Sequence, residues 1–137
     1  MRTLAFLCAI AATSVLFASG APAQPLTLQS YAGRSCDGHM AGGAGTNHDT
    51  YVMKGGRLFV HHMFTAGQGG NHWAEVGSNG KFISSSGVVE TPEPGSSLDK
   101  MTVRFGRDAY STYGSGEYTC SPAKQADMAL PQDLTPK

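Results

Sequence analysis

The sequence predicts an all-β protein, a small antiparallel meander of about seven strands that closes into a barrel or sandwich and carries one disulfide. Three observations predict this class. Short apolar or alternating runs are separated by turn-forming residues at intervals of roughly ten residues. Gly55-Gly56 and Asn79-Gly80 have the composition of tight hairpin turns. No long amphipathic helical pattern occurs between residues 24 and 122.

The first 23 residues have the pattern of a secretory signal peptide. Residues 1–3 form a short basic region, residues 4–17 an almost unbroken apolar run, and residues 21–23 read Ala-Pro-Ala, a cleavage site of the small-x-small form. The apolar run is too short to span a membrane. We therefore expect a product that begins at Gln24 and is periplasmic or secreted, without a membrane span.

The remaining chain is expected to form one domain over residues 24–122, followed by a C-terminal tail over residues 123–137 that begins with a short helix. The full sequence has ten Lys and Arg and ten Asp and Glu, and therefore no net charge. Its basic residues are dispersed among acidic ones instead of forming a stripe with interleaved aromatic residues. This pattern excludes nucleic acid as a partner.

Two cysteines remain after the leader and its Cys8 are removed. Cys36 and Cys120 lie near opposite ends of the domain, and an exported protein keeps its disulfides. We predict that they are bonded and that they join the first strand to the last.

The strands are predicted from their alternation and from the glycines and prolines between them. Leu26–Tyr31 alternates and is predicted to be the first strand, and the glycine-rich residues from Gly33 to Asn47 are predicted to be a loop. The stretch from Tyr51 to Glu90 forms the centre of the sheet. The later elements are a proline-rich surface connection at 91–97, a strand at 101–105 and an extended, tyrosine-rich segment at 109–120.

The turns predict the strand pairing. A two-residue Gly55-Gly56 loop pairs Lys54 with Arg57 and fixes each pair behind them, and Asn79-Gly80 fixes a second hairpin in the same way. The connection at 65–71 is longer, and for it we place Met63 opposite Trp73. In this register His61 lies opposite Glu75.

Successive side chains then alternate between two faces. The face assigned to the core carries Tyr51, Met53, Leu58, Val60, His62, Phe64, His72, Ala74, Val76 and Ile83. The other face mixes charged and apolar side chains and is either covered by other strands or the tail, or used for binding. Its candidate ligand or partner surface consists of Phe59, His61, Met63, Trp73, Glu75 and Phe82.

Five histidines, three of them close to methionines, suggest a metal site as the alternative. Imidazole and thioether ligands together suit copper, and imidazole alone suits zinc. Adjacent His61 and His62 point to opposite faces and cannot chelate one ion together. The candidate ligands are therefore His62 and His72, placed diagonally on the core face, with His39 and His48 from the loop.

The sequence contains no recognised catalytic motif, so we do not expect an enzyme. The leading hypothesis is an exported binding protein that engages a small apolar ligand or an envelope protein. Periplasmic copper or zinc binding is the alternative. A weaker alternative is an inhibitor of an extracellular hydrolase that acts through the loop at 67–71.

Overall fold

The structure is a computed structural model that describes residues 24–40, 46–64, 71–77, 89–106 and 112–135. The predicted leader, the Asn79-Gly80 turn and Phe82 lie outside the described residues. The strands are β1 Arg34–Met40, β2 Asn47–Lys54, β3 Arg57–Phe64, β4 Asn71–Val76, β5 Val89–Pro92, β6 Lys100–Gly106 and β7 Thr112–Pro122. Two short 3-10 helices, η1 Leu28–Tyr31 and η2 Gln125–Met128, flank the strands along the chain.

The seven strands form one curled, half-barrel sheet in the order β4-β3-β2-β1-β7-β6-β5, and every neighbouring pair is antiparallel. The predicted fold class is therefore confirmed. β1 to β4 form one meander and β5 to β7 another, and the pairing of β1 with β7 joins them. None of the helices in the described ranges is long and apolar enough to cross a bilayer.

The β2–β3 hairpin has the predicted register. Gly55 and Gly56 adopt φ angles of 55° and 73°, the left-handed conformation that this kind of turn requires. Lys54 lies opposite Arg57, and the pairing continues without interruption to Asn47 opposite Phe64. A tight turn fixes every pair behind it, which is why the sequence was sufficient here.

The register of the β3–β4 pair differs from the prediction by two residues. Trp73 lies opposite His61 and not Met63, whose partner is Asn71, and His72 lies directly opposite His62 and not diagonally. A shift of two residues leaves each side chain on its predicted face because the side-chain period of a strand is also two. The predicted assignment of these side chains to the two faces is therefore correct, although the predicted register is wrong.

The prediction for the start of the domain was wrong. Leu26–Tyr31 is not the first strand: its second part forms η1, where Leu28 and Tyr31, three residues apart, are both fully buried. β1 lies instead at Arg34–Met40, within the segment predicted to be a loop. The glycine content of this segment predicted a loop, but the segment forms a central strand of the sheet.

Gly38 shows why β1 contains glycine. A Cβ atom at this position would lie 2.3 Å from the backbone oxygen of Glu117 and 2.6 Å from the ring of Tyr118. Only glycine permits so close an approach of β1 to β7. Two residues earlier, Cys36 lies directly opposite Cys120 and is bonded to it, so the predicted disulfide between the first and last strands is confirmed.

We call the face that carries the core the inner face, and the opposite one the outer face. The buried apolar core consists of Leu28, Tyr31, Cys36, Tyr51, Leu58, Val60, Ala74, Val76, Met101, Val103, Tyr118 and Cys120. Met53 was assigned to the core but is 42 % exposed, because it lies beside the hairpin turn at the end of the sheet.

Part of the outer face is also buried. Val52 and Phe59 lie directly opposite each other there, and they are 6 % and 0 % exposed. The 3-10 helix η2 contacts β2, and the charge of Asp127 in η2 acts on His61 of the outer face, so the segment after β7 lies against this side of the sheet. The outer face is thus covered near β2 and more open toward β4.

Candidate functional site

The outer patch consists of the five described residues of the predicted ligand surface, namely Phe59, His61, Met63, Trp73 and Glu75. Register and alternation place all five on the outer face, on β3 and β4. Phe59 is fully buried, whereas the other four are half-buried. These five residues therefore share one face of two adjacent strands, and Phe82, the sixth member of the predicted surface, lies outside the described residues.

A stacked aromatic pair forms the centre of the outer patch. The rings of His61 and Trp73 lie face to face, with centroids 4.5 Å apart and planes 4° from parallel. Their strands place the two residues directly opposite each other. Both residues are half-buried, so the stack is partly exposed to solvent.

Glu75 forms an ion pair with Arg57. The predicted register had instead placed Glu75 opposite His61. Arg57 Nε donates to Glu75 Oε1 at 2.8 Å and Nη2 donates to Oε2. The hydrogen bonds from Arg57 lower the pKa of Glu75. The same guanidinium lies 5.2 Å from the centroid of the Phe59 ring, so Arg57 borders one end of the outer patch.

The imidazole of His61 is favoured in its neutral form. Burial lowers the pKa of His61, and the charges that His62 and His48 carry when protonated lower it further. Asp127, in η2, opposes these effects. A neutral ring stacked on an indole retains a nitrogen with a lone pair, which an imidazolium lacks.

His48 lies beside the outer patch and belongs to an aspartate–histidine pair. Its Nδ1 atom is 2.6 Å from Asp37 Oδ1, and the two side chains are 29 % and 61 % exposed. Asp37 was overlooked because its segment was interpreted as a loop. Recognising β1 would have revealed the pair, since His48 then lies directly opposite Asp37.

Comparison with protein-family models, with curated proteins and with solved structures finds no match. The functional argument therefore depends on the geometry of the site.

A second polar cluster is buried on the inner face. His62 Nδ1 lies 2.8 Å from Asp49 Oδ1, and the two side chains are 8 % and 2 % exposed. Glu90 is 4 % exposed and Tyr51 0 %. Within the described residues, Glu90 Oε2 and Tyr51 Oη have no hydrogen-bond partner.

The buried acids influence each other. Burial raises the pKa of Glu90 well above its ordinary value of 4.5, and the charge of Asp49 raises it further. Burial also raises the pKa of Tyr51, followed by the charges of Glu90 and Asp49. A protonated Glu90 and a neutral Tyr51 avoid unpaired charge in the core.

The structure distributes the four predicted metal ligands over both faces of the sheet. His62 and His72 lie on the inner face with ring centroids 5.0 Å apart, whereas His48 lies on the outer face, as does exposed His39 on β1. Across the described ranges, no three residues among His, Cys, Asp and Glu form a group able to hold a metal ion. The four histidines are therefore not brought together as one site.

Two clefts among the described residues lie apart from the outer patch. One of about 570 Å³ is lined by residues 24–26 and 92–98. The other, of about 430 Å³, lies where β1, β6 and β7 meet near Gly38 and Tyr118. The outer patch is thus a surface and not one of these clefts.

Proposed function

We propose that this chain is an exported, non-enzymatic binding protein that engages an envelope protein through the outer patch. The disulfide supports export, because such bonds persist in oxidising compartments. The sequence of the first 23 residues supports the same location.

The observation that carries the proposal is the half-buried His61–Trp73 stack on the same strand face as the fully buried Phe59. Ordered aromatic residues, methionine and arginine are enriched at protein interfaces, and tryptophan is prominent among residues that dominate binding energy. The stack holds both rings in place before a partner arrives, which reduces the entropic cost of binding.

A protein partner suits this surface better than a small apolar ligand. Small ligands bind mainly in concave pockets that bury most of their surface. The outer patch lies on the outside of a curled sheet, and the clefts described above lie elsewhere. An extended apolar segment of a second protein fits such a surface.

Catalysis is not part of the proposal. Among the described residues, no serine or cysteine is hydrogen-bonded to the exposed Asp37–His48 pair. The neighbouring hydroxyls of Ser35 and Thr50 are buried and bonded to each other at 2.8 Å. These hydroxyls are not available as nucleophiles.

The test is site-specific crosslinking on the outer patch. A photoreactive residue at Asn71, exposed on the same face next to Trp73, should yield one defined adduct with an envelope protein. Trp73→Ala should abolish this adduct. Leu98→Ala, which removes a 41 % exposed apolar side chain outside the patch, should leave it unchanged.

Thermal unfolding should show that both variants remain folded. An adduct of equal yield with Trp73→Ala, or one lost equally with Leu98→Ala, would contradict a role for the outer patch.

A further inference from the structure

The pairing of β2 with β3 brings three metal-binding side chains together on the outer face. His48 lies directly opposite Met63, and His61 is two residues before Met63 on the same strand face. Directly opposite residues have Cβ atoms about 5 Å apart, and alternate residues on one strand lie about 7 Å apart. Two imidazoles and one thioether are thus within reach of a single ion.

Asp37 orients the imidazole of His48. With Nδ1 donating to the carboxylate 2.6 Å away, the lone pair of the ring is on Nε2. Histidine ligands of metals are commonly held in this way by a carboxylate that fixes both tautomer and ring direction. The pair therefore presents Nε2 as a ligand atom.

The ring of His61 is held by a different contact. Trp73 stacks on one of its faces with ring centroids 4.5 Å apart, which restricts rotation of the imidazole. His48, His61 and Met63 are each half-buried, so an ion can enter and still be partly shielded from water.

The donor set indicates which ion fits. Thioether sulfur is a soft ligand that selects copper(I), and imidazole binds copper in the same site. Magnesium and calcium prefer oxygen ligands, which the three side chains do not supply. We propose that His48, His61 and Met63 bind one copper(I) ion, with Asp37 as a positioning residue. This inference goes beyond the proposed protein partner and depends only on the placement of these side chains.

The experiment is an anaerobic titration of the protein, freed of its leader and of any tag, with copper(I) against a chromogenic copper(I) chelator. Trp73 is the single tryptophan of the chain and contacts His61, so its fluorescence reports binding at this site. One equivalent should bind and alter the fluorescence of Trp73.

Met63→Leu preserves side-chain volume but removes the sulfur, and His48→Asn removes an imidazole. Loss of an outer-shell partner weakens metal binding by roughly 10- to 100-fold. Each of these two variants removes a direct ligand and should weaken copper(I) binding at least as much. Asp37→Asn should weaken copper(I) binding by an amount within that range. Met53→Leu, an exposed methionine beside the hairpin turn, and His72→Asn on the inner face are matched controls that should retain full affinity.

The proposal is overturned by three results: no copper(I) binding, unchanged affinity in Met63→Leu, or loss of affinity in His72→Asn. Zinc binding of equal strength that is insensitive to Met63→Leu also overturns it. The crosslinking test is performed without copper, so a failed titration leaves the protein partner testable on its own. A lost adduct combined with intact copper binding would instead reject the partner and retain the ion.

Discussion

Two aspartate–histidine pairs with the same atoms in contact lie on opposite faces of one sheet. Asp49–His62 is almost completely buried, whereas Asp37–His48 is substantially exposed. The buried pair belongs to a cluster with Glu90 and Tyr51, and the exposed pair adjoins His61 and Met63. Burial, and not residue type, therefore separates a structural pair from one that is available to a ligand.

The exposed and the buried pair are built partly from residues that are adjacent in the sequence. His61 and His62 are neighbours in the chain, as are His48 and Asp49, yet each neighbour points to the opposite face. Strand alternation thus places two chemically similar sets back to back.

The largest effect on stability is expected from removal of the disulfide on the inner face. Its two cysteines are 84 residues apart, and closing a loop of that length stabilises the fold by about 4 to 5 kcal/mol in the chain-entropy model. The Cys36→Ala/Cys120→Ala variant should lose that amount in urea unfolding. A loss below about 1 kcal/mol would show that residual structure in the unfolded chain replaces the link.

Removing a histidine from each pair tests the comparison directly. His62→Ala leaves the carboxylate of Asp49 buried without its partner, and we expect a loss of about 3 to 5 kcal/mol. His48→Ala should cost less than about 1 kcal/mol, because Asp37 remains hydrated. Urea unfolding of both variants with a metal chelator present provides the measurement. Equal losses would contradict the distinction between the two faces.

The pH dependence of stability should identify Glu90. Because its pKa is raised in the folded protein, the folded state holds a proton that the unfolded state has released above about pH 4.5. Stability should therefore fall as pH rises from that value toward the folded-state pKa. Glu90→Gln should flatten this fall.

The same variant contains its own control. At pH 4 and below, Glu90 is protonated in both folded and unfolded states, so Glu90→Gln should then unfold at nearly the wild-type temperature. Thermal melts from pH 4 to 8 give the comparison, and parallel curves for the two proteins would rule out the raised pKa.

A small effect is expected at the Ser35–Thr50 hydroxyl pair on the outer face. Thr50→Val removes one partner of a buried hydrogen bond and should cost about 1 kcal/mol. Adding Ser35→Ala should recover part of the loss, because no unpaired hydroxyl remains. A double variant that is no more stable than Thr50→Val would show that packing, and not the hydrogen bond, is responsible.

The predicted parts of the candidate site depended on alternation. His61, Met63 and Trp73 were placed on one face from the sequence, and that face survived a register that was wrong by two residues. The predicted pairing of His61 with Glu75 did not survive, because a long connection imposes no register on the strands that it joins. The role of Arg57 as the partner of Glu75 followed only from the observed pairing.

The all-β class, the disulfide and the β2–β3 register could each be predicted from the amino-acid sequence. These features depend on side-chain period, cysteine number and a two-residue turn, all of which are local or countable. Three features required the folded structure: the position of β1 within the glycine-rich segment, the contact of Asp37 with His48, and the burial of Glu90 near Asp49. Such contacts join residues distant along the chain, so their geometry depends on how the strands are ordered across the sheet.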